Sequence, residues 1–298
     1  MPAQPARAKP LGTLRRFWAK INNDWVFNLS SMLAYSLLTA TVPILLVLLA
    51  IAGYLLTDER KKALVSAIEK VLPQDVGKSV VEAILANLRG SAGLLLFIGV
   101  ISAIVIGSRL FIAIENCMSI IFRVPSRTPL RQNFTAITML VLYAILVPTI
   151  FVVFTAGSSA LATALGGGDA SLTHALVTIV ADLAEWLLVT LLLGGIFLVM
   201  PNREMRLSEV WPGALLSSAL LVLYVGFFAL YQNYLFNGTN YGSIAAYIIV
   251  LLIFFYYLAF ILLLGAEVCS WTAGQRESSA NLPTLLSVVE HPDVVKRR

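Results

Sequence analysis

Residues 243–270 read SIAAYIIVLLIFFYYLAFILLLGAEVCS, and this stretch decides the fold. Its one charged residue is Glu267, and most of its other side chains are apolar. A helix of about 20 apolar residues is long enough to cross the hydrocarbon core of a bilayer. The sequence therefore predicts a transmembrane helix over residues 243–270.

Other runs of the same character predict an all-α polytopic membrane bundle of six transmembrane helices. A β-barrel would need many alternating segments of about ten residues, and these runs are too long and too uniformly apolar. Composition agrees, because 59% of the 298 residues are hydrophobic and 12% are charged, whereas soluble proteins average about 25% charged residues. The mean hydropathy is +0.86. The further runs cover residues 29–56, 91–121, 134–156, 175–200 and 212–236.

Three parts are expected along the chain: a basic N-terminal segment over residues 1–28, one membrane domain over 29–272, and a disordered polar tail over 273–298. In the first part, apolar side chains recur at helical spacing with basic ones elsewhere on the wheel. This pattern is typical of an interfacial helix on an anionic membrane surface. An ordinary positive flank before the first span fits equally well. The apolar residues are Leu14, Phe17, Trp18, Ile21 and Trp25, and the basic ones are Arg15, Arg16 and Lys20.

The segment between the first two spans, residues 57–90, is more than a plain loop. Apolar residues recur in it at helical spacing on both sides of Pro73. Two short amphipathic helices are predicted on the outside of the membrane. They either lie on the outer surface or cap an opening between the spans.

Lysine and arginine are distributed unevenly between the two sides of the predicted bundle. If the N-terminus is cytoplasmic, the outside loops 157–174 and 237–242 contain neither residue. The remaining outside segment, 57–90, has six basic and five acidic residues and does not reverse the bias. The positive-inside rule therefore predicts that both termini are cytoplasmic. The net charge of +5 is then a topology signal, and no nucleic-acid partner is expected.

No metal or cofactor site is expected from the cysteines and histidines. Cys117 and Cys269 are both predicted near cytoplasmic ends of spans, where a structural disulfide is not expected. His174 and His291 are predicted on opposite sides of the membrane, and no spaced Cys/His cluster is typical of zinc.

Charged side chains inside the apolar runs are the strongest functional clue. An Arg or Asp at membrane depth costs about 2.5–3.5 kcal/mol on insertion scales, and such residues usually face a bundle interior or a wet cavity. Asp182 and Glu185 share one face of the fourth span, and the first, second and fifth spans carry polar stripes of their own. The candidate polar or substrate-contacting residues are Arg109, Asp182, Glu185, Glu115, Asn116, Tyr35 and Tyr231.

Two interpretations of these residues stay open. In the structural one, Arg109 pairs with Asp182 or Glu185 and the hydroxyl groups join the helices by hydrogen bonds. In the functional one, the polar stripes line a hydrated route or a pocket for an anionic head group. Arg109 then contacts the anion, and the carboxylates are proton or cation partners. Glu115 lies closer to the predicted cytoplasmic end, where it can extend to the interface.

Several short motifs, in this order, resemble the YihY/BrkB family of bacterial inner-membrane proteins over residues 22–272. They include Met200-Pro201-Asn202, Pro212-Gly213-Ala214, Tyr241-Gly242-Ser243 and Leu264-Gly265-Ala266-Glu267. Leu33-Ala34-Tyr35 and Glu115-Asn116 fit the same resemblance. Within these motifs we assign structural roles to Pro201, Gly213, Tyr241, Gly242, Gly265 and Glu267. Glu267 either reaches the interface or caps a neighbouring helix.

The resemblance implies six transmembrane helices in the bacterial cytoplasmic membrane. Family members were once labelled ribonuclease BN, but the acids within the spans are secluded from cytoplasmic RNA, one histidine is predicted outside, and the inside loops are short. We expect no enzymatic role. The chain departs from the family at Ser119, where asparagine is common.

A transporter or flippase-like protein for a lipid or other anionic amphipathic envelope molecule is the leading hypothesis. No ATP-binding motif is present, so an ion gradient, a partner or the substrate's own gradient would drive it. The alternative is a non-transporting scaffold that organises envelope machinery. Membrane lipids are the expected partners. Aromatic and small-residue faces of spans five and six either support a homo-oligomer or face lipid.

Overall fold

The computed structural model describes residues 10–55, 92–164, 170–236 and 244–275. Within these ranges the chain forms seven helices and no strand, so the predicted all-α class is confirmed. The helices are α1 (Pro10–Asn23), α2 (Val26–Leu55), α3 (Ala92–Ile121), α4 (Pro129–Ala164), α5 (Ala170–Val199), α6 (Leu207–Phe236) and α7 (Ile244–Thr272).

Five helices in the described part of the chain, α3 to α7, contain stretches long and apolar enough to cross a membrane. The remaining predicted span, residues 29–56, corresponds to α2, whose 30 residues form one continuous helix. The structure describes the side chains of α2 only as far as Thr41. This part of the helix is too short to be assessed as a membrane span. The structure thus supports five of the six predicted spans by length and composition.

Two helices extend further than the apolar runs predict. α4 covers residues 129–164 and not 134–156, and α5 begins at Ala170 and not at 175. Helix therefore occupies much of the predicted outside loop 157–174. The reason is that 156–164 is rich in alanine, which favours helix whether or not the residues are apolar enough to span. The amphipathic segment 57–90, the pair Tyr241-Gly242 and the tail from residue 276 lie outside the described residues.

The chain forms two compact units. The first comprises residues 1–35, 114–127 and 150–298, and the second comprises 36–113 and 128–149. In the second unit, the rings of Phe111 and Tyr143 pack with their centroids 5.8 Å apart.

A close helix crossing forms the core of the first unit. α6 and α7 meet at Gly213 and Gly265, where a Cβ added to Gly213 would overlap the carbonyl oxygen of Gly265. A Cβ on Gly265 would in turn overlap the hydroxyl of Ser217 and lie 2.8 Å from the carbonyl oxygen of Gly213. Small residues four apart let membrane helices approach this closely. Ser217 follows Gly213 at that interval, and Cys269 follows Gly265.

Side-chain hydrogen bonds to backbone carbonyls hold the crossing on both sides. The Ser217 hydroxyl donates to Ile261 over 3.0 Å, and the Thr272 hydroxyl donates to Glu209 over 2.8 Å. α5 joins this pair through the hydroxyls of Thr190 and Ser218, which are 2.7 Å apart. The three helices therefore pack by short polar contacts as well as by apolar surface.

One end of the first unit gathers α1, the loop after α3, the loop before α6 and the end of α7. The hydroxyl of Ser270 on α7 donates to the carbonyl of Ile121 on α3, and Gln275 donates to the carbonyl of Phe122. We call this the basic end. Its arginines are Arg15, Arg16, Arg123, Arg127, Arg203 and Arg206.

Tryptophans mark the same end. Trp18 and Trp211 are 55% and 57% exposed, and the ring of Trp271 packs edge-on against Phe17 with centroids 5.5 Å apart. Tryptophan is enriched where a membrane meets water, because its ring is apolar and its N–H is polar. The basic end therefore has the composition of a membrane–water interface.

Candidate functional site

A cluster of four charged side chains, which we call the charge centre, lies at the basic end. The Lys20 ammonium on α1 donates to Asp24 over 2.7 Å and also to the carboxylate of Glu267 on α7. The guanidinium of Arg123 contacts the other oxygen of Asp24 at 3.4 Å. The side chains of Lys20, Asp24 and Glu267 are completely buried. With all four groups ionised, the cluster carries two positive and two negative charges.

Burying such groups is costly unless each has a partner, because effective desolvation amounts to several kcal/mol per ion. Three of the four are satisfied by their neighbours, whereas the Oε1 atom of Glu267 has no hydrogen-bond partner among the described residues. The centre therefore joins α1 to α7 and the loop after α3. Removing any one partner would leave a buried charge uncompensated.

Backbone strain flanks this cluster. Trp25 and Arg123 have φ angles of 60° and 53°, a left-handed conformation that residues with bulky side chains seldom adopt. Trp25 directly follows Asp24, and Arg123 is itself a member of the centre. Such conformations cost about 1–3 kcal/mol each and persist where surrounding contacts hold them. The charge centre supplies such contacts at both turns.

The sequence did not predict this centre. Helical spacing predicts Lys20 on the polar side of a surface helix, yet Lys20 is buried, and Ile21 beside it is 1% exposed. α1 thus turns Lys20 and Ile21 into the unit, while Leu14 and Trp18 remain outside. Two signals were present: the spacing of four between Lys20 and Asp24, and the isolation of Glu267 in an apolar run.

Glu115, one of the predicted site residues, is also paired and buried rather than extended to the interface. Its carboxylate lies 3.2 Å from the guanidinium of Arg127, and the residue is 1% exposed. The same guanidinium donates to the carbonyls of Val199, Met200 and Pro201 over 2.9, 2.8 and 3.2 Å. Because the last carbonyls of a helix have no partners within it, Arg127 closes the end of α5. Pro201 accepts one of these hydrogen bonds.

The other predicted charges have a different setting. Arg109 on α3, in the second unit, is exposed, as are Asp182 and Glu185 on α5, in the first. Each lies near the middle of its own 30-residue helix. None has an ion pair among the described residues of its own unit. Asp182 and Glu185, three residues apart, share one face of α5.

The remaining predicted residues are tyrosines and an asparagine. Tyr35 on α2 is 65% exposed, and Asn116 on α3 is partly exposed. The side chain of Tyr231 on α6 lies outside what the structure describes. The structure therefore leaves the assignment of these three residues as a prediction.

Among the described residues, no group of three or more His, Cys, Asp or Glu side chains is placed to hold a metal ion. Cys117 and Cys269 are buried free thiols. Ser119 is buried, and its hydroxyl has no hydrogen-bond partner within the described ranges. An asparagine there would present a longer polar side chain to the same surroundings.

Comparison with known proteins identifies the family. Neither a search of curated proteins nor a search of solved structures gave a significant match. A family model described as "Virulence factor BrkB" matches residues 17–284, which include α1 to α7 apart from the start of α1. With its apolar helices, the chain is a multi-pass inner-membrane protein. It belongs to the BrkB virulence factor family.

Proposed function

We propose that this protein moves a lipid or another anionic amphipathic envelope molecule across the membrane, as a transporter or flippase-like protein. One observation carries the proposal: Arg109, Asp182 and Glu185 are exposed near the middle of long apolar helices. Their placement contrasts with that of Lys20, Asp24, Glu115 and Glu267, all of which are buried against partners.

The contrast separates two uses of charge. Paired and buried charges join helices, and their energetic cost is offset by their partners. A charge that stays exposed at membrane depth costs about 2.5–3.5 kcal/mol on insertion scales and is usually in contact with a water-filled cavity or a functional partner. A chain that retains three exposed charges at membrane depth is therefore expected to use these charges in its function.

Each group has a chemical role in this proposal. The planar guanidinium of Arg109 binds phosphate or carboxylate through two parallel hydrogen bonds, which suits an anionic head group. Asp182 and Glu185, on the same face of α5, bind the cation or proton that accompanies the anion. No bond is made or broken in the transported molecule, and the proposal assigns no catalytic chemistry to the chain.

Lipid translocation in liposomes tests the proposal. Full-length protein is reconstituted with a fluorescent phosphatidylglycerol, and dithionite quenching reports movement between leaflets. Native protein should move the probe faster than empty liposomes, and Arg109→Gln should abolish most of that excess at equal insertion. The matched control is Arg131→Gln, an exposed arginine near the start of α4. Equal rates for native protein and Arg109→Gln would remove Arg109 from the mechanism.

A non-transporting scaffold is the second candidate, and the packing at the basic end favours it. Paired charges and the α6–α7 crossing make a rigid base on which loops and tail can hold other proteins. Gln275 belongs to that base, because it bonds to Phe122 and Ser270. Truncation after Gln275 keeps these contacts and removes the tail. If the protein is a scaffold, this variant should no longer hold its partner proteins. If it is a transporter, the variant should keep its translocation rate.

A further inference from the structure

A groove runs between α2 and α7 in the first unit, and its lining residues are all uncharged. Its volume is about 380 Å³, and most of its wall is apolar. The hydroxyl of Ser31 in the wall already donates to the carbonyl of Phe27 over 3.2 Å, so it needs no partner from an occupant. The lining residues are Ser31, Ala34, Leu252, Ile253, Tyr256 and Tyr257.

Aromatic rings pack against one another beside the groove, on the side of the basic end. Phe27, one turn before Ser31 on α2, stacks on Phe260 of α7 with centroids 5.3 Å apart and planes at 17°. Trp18 of α1 then packs edge-on against Phe27 at 6.1 Å. Along both helices, Phe27 and Phe260 lie between the lining residues of the groove and the charge centre.

The depth of the groove follows from helix geometry. Ala34 lies eight residues beyond Val26, the first residue of α2, which is about 12 Å along the helix. Tyr256 lies eleven residues before Glu267, or about 16 Å along α7. If the charge centre is at the membrane boundary, the groove reaches the middle of a hydrocarbon core about 30 Å thick. Lipid chains are the solvent at that depth.

Size selects among possible occupants. The volume of about 380 Å³ lies near the lower limit of small-molecule sites, roughly 300–1,000 Å³. A helix with its side chains is about 10–12 Å across and does not fit a groove of that size along two turns. A single flexible hydrocarbon chain does fit, and it has no polar group to satisfy.

We propose that the α2–α7 groove is a lipid-binding site that holds one acyl chain of a membrane lipid, with the stacked rings of Phe27 and Phe260 next to it on the side of the basic end. The site goes beyond translocation, because a chain can be held there whether or not the protein moves lipids. Ile253 and Tyr257, both about half exposed, form the side open to the bilayer. Ala34, which is 1% exposed, lies at the floor.

Lipid retention tests this site without any transport measurement. Full-length protein is purified from nanodiscs of phosphatidylethanolamine and phosphatidylglycerol, and native mass spectrometry counts the lipids that remain bound. Native protein should retain one lipid that Ile253→Trp and Ala34→Phe lose, with at least a fivefold drop in occupancy. Filling the groove from both helices guards against a folding defect in either variant. Leu191→Trp, at a site on α5 that is 70% exposed, is the matched control and should leave retention unchanged.

Photocrosslinking from position 253 identifies the occupant. A benzophenone residue replacing Ile253 should give lipid adducts, and the same residue replacing Leu191 should give far fewer. Adducts to a second copy of the chain, or to another segment of the same chain, would overturn the proposal, as would unchanged retention in both filled variants. Lost retention with a normal translocation rate would leave the acyl-chain site established and separate it from the transport route.

Discussion

The ammonium of Lys20 and the carboxylate of Glu267 form an ion pair across 247 residues of sequence, and both side chains are completely buried. This pair fixes the N-terminal helix α1 to the end of α7. It makes α1 an integral part of the first unit, although its composition is that of a surface helix.

Lys20→Met should destabilise the protein by about 3–5 kcal/mol, because it leaves the carboxylate of Glu267 buried without a counter-charge. The double variant Lys20→Met/Glu267→Met should recover most of this loss, since apolar residues often replace a buried ion pair without cost. Asp24 keeps its contact with Arg123 in both variants. Unfolding free energies from SDS titration measure the effect. Arg16→Met, exposed on the same helix, is the control, and additive losses in the double variant would contradict the pairing.

Gly213→Ala and Gly265→Ala should each cost about 1–3 kcal/mol, because the added methyl group forces α6 and α7 apart. Gly226→Ala is the matched control on α6, where an added Cβ meets nothing within 4 Å. That variant should be neutral or slightly stabilising, since alanine favours helix over glycine. Thermal unfolding in detergent compares the three. Equal unfolding temperatures for all three variants would contradict the close approach of α6 and α7 at Gly213 and Gly265.

Arg127→Met should cost about 3 kcal/mol or more, because Glu115 stays buried and the end of α5 loses its donor. Arg127→Lys should recover only part of this lost stability, since a lysine ammonium cannot reproduce the planar guanidinium that donates to three carbonyls. Arg203→Met is the control. Its pair with Glu209 is 3.7 Å long and partly exposed, so its loss should cost less than about 1 kcal/mol. Equal SDS-unfolding shifts for Arg127→Met and Arg203→Met would contradict this account.

The positive-inside rule predicts that the basic end faces the cytoplasm. Arg16→Cys and Arg206→Cys, both at exposed positions, should react with a membrane-impermeant maleimide in inverted vesicles and not in right-side-out ones. Labelling of both only from the outside would reverse the orientation and leave the structure intact. Labelling of the two cysteines from opposite sides of the membrane would show that α1 and the loop before α6 do not lie at the same end of the first unit.

Hydrophobicity was enough to predict the helices, because a bilayer requires long apolar segments with internally bonded backbones. The runs at 91–121 and 243–270 match α3 and α7 within two residues at each end. The C-terminal end of α4 was not predictable in this way, because alanine and serine continue the helix beyond the apolar run. Hydropathy reports where a helix can lie in lipid and does not report where it stops.

The site was predictable only in part, for a related reason. Sequence identifies a charge at membrane depth, but whether that charge is paired depends on residues far away in the chain. Glu115 and Arg109 differ by six positions on α3, yet one is buried against Arg127 and the other is exposed. Local spacing predicts Lys20 at the surface. It cannot show that the partner of Lys20 is Glu267, which comes from the last helix.

Neutralising the two acids of α5 tests the central claim, that exposed charges at membrane depth are used for transport. Asp182→Asn/Glu185→Gln should not lower the unfolding free energy, because it removes two charges that are costly at membrane depth and that have no ion pair among the described residues of the first unit. The same variant should lose most of the phosphatidylglycerol translocation measured in liposomes at equal insertion. Native translocation rates in this variant, or a large loss of stability that accompanies any loss of rate, would contradict the account.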